Sequence, residues 1–400
     1  MKLTDPVLSS SWVPDRGTLH AVALEVLRHG PLSRSDIARR LNLSSGSLTR
    51  LATELVEAGL LREIGERAST GAGRPSRLLD VVADSRTFIG LKLTADEVLG
   101  VVTDLRADVV DTARVGLPAR DPSSVVEAIA RLVEQLAGAH GTITAIGVGV
   151  GGLVGDGGVV VSSPFLEWQD VPLQARVEER TGTRTIVDND LVALTECEHW
   201  FGAGRGLDRF AVITLGAGVG YGLVANGGIV LDGDYGIGLV GHWPLDPLGP
   251  LCPAGHRGCA RSMLTQEAIT TAVSTALGVE LDYDGALDAA ERGDPAARRV
   301  VDDAGRGLGR LLAAVANLTL PQAIILGGEG VRLATVARDA TAVGMRADRD
   351  PRTREIPIAL MPGDSTDWCR GAAVLAIQAF ALGRELDTTE AQEHGQLTRR

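Results

Sequence analysis

Aromatic residues make up only 3% of this 400-residue sequence, and cysteine occurs four times. Four thiols over this length are not the disulfide framework of a small secreted domain. No apolar run reaches the ~18 residues required to span a bilayer. The opening MKLTDPVLSS lacks the basic-then-apolar pattern of a signal peptide. These absences point to a soluble, cytoplasmic protein with no membrane partner. Positive charge is also short, the formal net charge being -12. A chain so acidic is a poor non-specific binder of nucleic acid.

That deficit is uneven. Residues 1–80 hold 11 Lys+Arg against 9 Asp+Glu, while the remainder holds 28 against 42. The basic end therefore retains the electrostatics of a DNA reader. Its periodicity agrees. Leu19, Val22, Ala23, Val26 and Leu27 share one face of a helix over 17–29, ended by Gly30-Pro31. Ser33 is placed to cap a second helix, with Asp36 in its first turn and Ile37 and Leu41 facing inward. Ser44 caps a third helix running to about Ala58, with Leu48, Leu51 and Leu55 as its buried side. Strands at Leu60–Ile64 and Arg77–Val82 flank a glycine- and charge-rich loop. Three helices and a two-stranded wing predict a winged helix-turn-helix over 16–82, behind an N-terminal arm of residues 1–15.

In such a unit the first turns of the second helix of the pair enter the major groove. That directs Ser45, Gly46, Ser47, Thr49 and Arg50 toward DNA, with Arg50 able to reach a guanine or a phosphate. The wing adds Arg67, Arg74 and Arg77. Gly73-Arg74-Pro75 is extended and narrow, suited to an A·T-rich minor groove. The alternative is a small helical protein-binding module with ordinary surface arginines.

From Thr87 the pattern becomes strands separated by helices. Thr87–Leu93, Val98–Asp104 and Asp108–Val115 read as a three-strand meander, followed by a helix at Val125–Leu136 and strands at Ile143–Val150 and Thr185–Val187. Phe210–Leu215, Gly222–Ala225 and Ile229–Leu231 repeat the meander. Helices dominate 265–318 before the strand Ala323–Leu326 and a last helix near Gly371–Leu382. The repetition predicts an internally duplicated α/β domain of two lobes. A polar tail, 385–400, is expected to be disordered.

Over residues 16–383 the sequence resembles the ROK family, named for repressors, open reading frames and kinases. SRSDIARRLNLSSGSLTRLATELVEAGLL and GAGRPSRLL resemble the DNA-binding domain of its regulators. SPFLEWQDVPL, VDNDLVAL, EHWFGAGRG, LGAGVGYG, VGHWPLDPLGPLC, GHRGC and IILGGEGV follow in family order. The resemblance implies an actin-like, ribonuclease-H-like pair of lobes over 83–384. Against the kinases' first phosphate loop, Gly-x-Asp-x-Gly-Gly-Thr, this chain has Lys92 for the aspartate, Thr94 and Ala95 for the glycines, and Asp96 for the threonine. The second loop, Gly216–Gly222, keeps its glycines. Phosphoryl transfer depends on positioning and charge stabilisation, so the resemblance implies lost kinase activity and no ATP.

Asn189-Asp190 matches the family's catalytic pair, in which the aspartate takes a sugar hydroxyl proton. Here a sugar-binding or a purely structural role is expected instead. Family sugar-binding glutamates are replaced by Leu239 and Arg261, whereas His242 is kept. An effector facing Asn189, Asp190, Leu239, His242 and Arg261 would be an acidic or phosphorylated sugar derivative. The family's zinc ligands correspond to His242, Cys252 and Cys259, with Ala254 in place of a third cysteine. His256 or Cys369 is the candidate fourth ligand, and a loop packed around two buried thiols is the alternative. Cys197, on an apparently amphipathic helix, is expected to be a core residue. These readings favour a transcriptional regulator, expected to be a repressor and homodimer (or dimer of dimers) on an inverted-repeat operator. The rivals are an active sugar kinase carrying an accessory DNA-binding domain and a regulator without an effector.

Overall fold

The computed structural model describes residues 17–67, 76–231, 238–361 and 363–382. The chain forms two compact units, one from the described parts of 1–206 and 368–400, the other from 207–367. The N-terminal arm, the wing tip with Arg74, and the polar tail lie outside the described residues. No described helix is long and apolar enough to cross a membrane.

The first unit begins with α1 (Thr18–His29), β1 (Leu32–Ser33), α2 (Arg34–Arg40), α3 (Ser45–Glu57), β2 (Leu61–Arg67) and β3 (Ser76–Val81). Both expected caps are present: Ser33 Oγ accepts from Asp36 N and Ser44 Oγ from Ser47 N, each at 3.1 Å. Such caps satisfy backbone N–H groups that the helix itself leaves unpaired. Leu48, Leu51 and Leu55 are buried beneath α3, each contributing roughly 1.5–3 kcal/mol. The wing sheet has three strands, in the order β1-β3-β2, where two were expected. Its extra strand is only Leu32–Ser33, too short to leave a periodic signature.

Next come β4 (Phe88–Leu93), β5 (Glu97–Thr103), β6 (Val109–Gly116), α4 (Pro122–His140), β7 (Ala145–Val150), β8 (Leu153–Gly155), β9 (Val159–Ser163), β10 (Trp168–Pro172), α5 (Leu173–Thr181), β11 (Thr185–Asn189) and α6 (Asp190–Trp200). A five-stranded sheet runs β11-β7-β4-β5-β6, with β4 antiparallel to β5 and parallel to β7. The small antiparallel sheet β10-β9-β8 was not expected. Helix α6 corrects the amphipathic reading, because Val192–Thr195 and Cys197–Trp200 are all buried. Cys197 is indeed a core residue, 1% exposed.

The second unit contains β12 (Phe210–Leu215), β13 (Val219–Ala225), β14 (Gly228–Ile229), α7 (Ala260–Leu264), α8 (Gln266–Leu277), α9 (Tyr283–Glu291), α10 (Pro295–Thr319), β15 (Ala323–Gly327), α11 (Arg332–Val336), α12 (Arg338–Ala347) and β16 (Ile358–Leu360). Its sheet, β14-β13-β12-β15-β16, repeats the first sheet's topology: an antiparallel meander whose first strand also heads a parallel trio. The expected duplication is therefore real. All six residues of β12 are buried, as expected of a strand covered on both faces.

Helix α13 (Ser365–Leu382) is the last described element. It lies hard against the first sheet, because a Cβ on Gly90 would fall 2.0 Å from Cys369 O and one on Gly147 1.7 Å from Ala372 O. The winged helix is also seated on this unit. Val22, Val26, Leu27 and Leu79 share one hydrophobic core with Phe88, Leu105, Trp200 and Val374. Arg106, between β5 and β6, donates to Val26 O and Gly30 O and pairs with Asp80. The Arg28 guanidinium stands 5.2 Å from the Trp200 ring centroid and reaches His199 Nε2 at 3.1 Å.

Candidate DNA interface and ligand sites

Helix α3 exposes Ser45, Gly46, Ser47, Thr49 and Arg50 while burying Leu48 and Leu51. Among the described residues Arg50 has no ion-pair partner. Arg77 differs. It pairs with Glu63 at 2.7 Å, and Arg34 holds the same carboxylate at 2.7 Å. These two cations, Arg77 first, pull the Glu63 carboxyl below its usual range. Of the predicted DNA-facing arginines, Arg50 is thus available and Arg77 is engaged; Arg74 lies outside the described residues.

Asn189 and Asp190 belong to the first unit. Asn189 is 4% exposed and caps α6, its Oδ1 accepting from Leu191 N and Val192 N while its Nδ2 donates to Gly152 O. Its side chain fixes the strand-to-helix turn that presents Asp190. Lys92 Nζ forms an ion pair with Asp190 Oδ2 and lies 4.9 Å from the Trp368 ring centroid. The other oxygen, Oδ1, accepts from Leu191 N at 2.8 Å. Both carboxylate oxygens therefore have partners. The only sequence signal for this was Lys92 standing where the kinases carry an aspartate.

The turn from β4 to β5 is closed by its own threonine. Thr94 Oγ1 accepts from Glu97 N at 3.1 Å and Asp96 N at 3.3 Å, and donates to Glu97 O at 3.0 Å. The N–H groups of Asp96 and Glu97, which could otherwise face a phosphate, are thereby paired within the turn. In the second unit the turn from β12 to β13 keeps Gly216 and Gly218, with Gly216 N donating to Gly218 O at 3.0 Å. A carboxylate stands against it: Glu329 Oε2 would lie 2.6 Å from a Cβ on Gly216.

Leu239, His242 and Arg261 belong to the second unit. Leu239 is 63% exposed. His242 is depressed below the usual imidazole value by burial, then by His256 and Arg261, so Arg261 lies within electrostatic reach of it. His242 Nδ1 is 3.0 Å from His256 Nδ1, 3.8 Å from Cys252 Sγ and 4.0 Å from Cys259 Sγ, and Cys252 Sγ is 3.6 Å from His256 Nδ1. Zinc bound tetrahedrally by imidazole and thiolate would need edges of about 3.4 Å (N to N) and 3.6 Å (N to S). The three edges among His242, Cys252 and His256 come within about 0.4 Å of these values. The tightest group is His242, Cys252 and His256, with Cys259 approaching His242. Burial opposes ionisation of Cys252, but N–H groups of His256 and Ala254, with the His256 and Cys259 side chains, bring the thiol down to about 7. Cys369, the other candidate, belongs to the first unit, where its backbone carbonyl packs against Gly90.

A family model described as ROK family matches residues 88–378, and one described as MarR family matches residues 17–74. The DNA-binding transcriptional dual regulator NagC of Escherichia coli (strain K12) is 30% identical over 318 residues, covering 76% of this chain and 78% of NagC. A crystal structure of a ROK family transcriptional regulator, a homolog of the E. coli Mlc protein, superposes with a TM-score of 0.75 at 24% identity, covering 91% of this chain and 98% of that one. The ROK family glucokinase from Streptomyces griseus, in complex with glucose and AMPPNP, gives a TM-score of 0.61 at 26% identity, covering 72% of this chain and 98% of its own. The regulator structure covers more of this chain than the kinase does, 91% against 72%. This chain belongs to the ROK family.

Proposed function

We infer that this chain is a DNA-binding transcriptional regulator whose ROK body has given up phosphoryl transfer. Its relative NagC regulates transcription by binding DNA, and α3 offers an exposed, properly capped reading helix. The observation that carries the loss of catalysis is Lys92 seated on Asp190. A carboxylate paired on both oxygens is a poor acceptor for a sugar hydroxyl proton. Self-closure of the turn at Thr94 and the carboxylate of Glu329 beside Gly216 work against nucleotide phosphates in the same direction. The protein acts in the cytoplasm as a repressor, its dimer reading the two halves of an inverted repeat. Full-length protein should select one sequence family from random duplexes at physiological salt. It should also show no ATP-dependent turnover of hexoses. Turnover that Asp190→Asn abolishes would overturn the catalytic part.

Arg261 stands where the resemblance places a sugar-binding glutamate, and a cation in exchange for an acid favours an anionic sugar derivative as the effector class. Such a ligand should shift operator affinity by roughly 5–150-fold. A response confined to neutral sugars and unchanged in Arg261→Glu overturns this. The second-unit loop holds one structural zinc through His242, Cys252, His256 and Cys259, which would tie the loop to the fold.

A further inference from the structure

Two of the side chains that α3 turns outward, Thr49 and Thr53, have hydroxyls which the helix itself has already used. Thr49 Oγ1 donates to Ser45 O at 2.8 Å, and Thr53 Oγ1 donates to Thr49 O at 2.9 Å. A hydroxyl bonded back to the preceding turn keeps only acceptor capacity. The group each threonine then offers outward is its methyl. Successive α-helical residues are rotated by about 100°, so Ser45, Thr49 and Thr53 follow one line along the exposed face. Gly46 and Arg50 lie on its flank. Nothing stands within 4 Å of a Cβ built on Gly46. Helical side chains lean toward the N-terminus, so the Arg50 side chain has clear space over that turn.

Base edges in the major groove differ in what they can meet. Thymine alone presents a methyl group; guanine presents two acceptors and no donor. A threonine reduced to a methyl and an acceptor matches the first and repels the second. We propose that Thr49 and Thr53 read thymines through their 5-methyl groups, beside a guanine or phosphate held by Arg50. This rests on α3 entering the major groove, and it adds the base chemistry that the helix selects.

The test begins with a duplex selected by the full-length protein, in which each thymidine is then replaced by deoxyuridine. At positions facing Thr49 and Thr53, loss of the base methyl should weaken binding about fourfold, the worth of one buried methyl. Thr49→Val keeps the methyl and should retain both affinity and this sensitivity. Thr49→Ser keeps the hydroxyl and should bind thymine and uracil alike at the position facing residue 49, while the position facing Thr53 stays sensitive. Unchanged thermal unfolding in both variants shows that the head is intact. The opposite pattern, with serine equivalent to wild type and valine weakened, overturns the proposal, as does indifference to deoxyuridine throughout. Selection of no sequence at all overturns the operator reading beneath it.

Discussion

The two five-stranded sheets share a topology but differ at the hairpin that begins each of them. In the first, glycines have given way to Thr94 and Ala95, and the turn bonds to itself. In the second the glycines persist, and a carboxylate from another loop stands against them. The strands below both hairpins remain buried and regular. A scaffold is maintained by many packed side chains, each worth a kilocalorie or two. Phosphate chemistry depends on a few backbone N–H groups and charges, which single substitutions can remove. A fold can therefore outlast its chemistry, and the proposed loss of phosphoryl transfer would rest on a separate change in each unit.

The largest expected effect lies in the second unit. Cys252→Ala should release about one zinc per chain and lower stability by more than about 3 kcal/mol, read by metal analysis and thermal unfolding. Wild-type protein purified without chelator and found metal-free would leave only a loop packed on two thiols. In the first unit, Gly147→Ala should destabilise by about 3 kcal/mol, because its Cβ would fall 1.7 Å from Ala372 O and the helix must shift. A smaller loss would show that α13 yields more readily than its packing suggests.

Next, the two electrostatic changes can be set against each other. Lys92→Met leaves Asp190 largely buried beside a lost cation, and should cost about 2 kcal/mol in denaturant unfolding. Adding Asp190→Asn should restore part of that loss. Glu329 is exposed, so Glu329→Gln should change stability by less than about 0.5 kcal/mol. Equal effects of the two substitutions would break the contrast between a seated ion pair and a surface carboxylate.

Much of this was legible in the residues. Ser33 and Ser44 announced their caps, and the repeated meander announced the duplication, because both rest on local chemistry and on period. What escaped was short or enclosed. The strands Leu153–Gly155 and Ile358–Leu360 have three residues each, too few for alternation to register. Helix α6 is buried nearly all round, so no polar side marks its orientation. At the sites, His256 was visible as a neighbour of Ala254, but its approach to His242 depends on how the loop folds back. Glu329 gave no signal, since only tertiary structure sets it against Gly216.

The seating of the winged helix on the first unit has a consequence for its portability. Modular readers are commonly pictured as beads on a string, exchangeable between bodies by cutting a linker. Here the cut would fall through a shared core. A transplanted head would expose Val22, Val26 and Leu27 and would leave Arg28 and Asp80 without Trp200 and Arg106. A working chimera must bring that footprint with it: the Arg106 turn, the end of α6 at Trp200, and the Val374 stretch of α13. The unit of exchange is the head together with its socket.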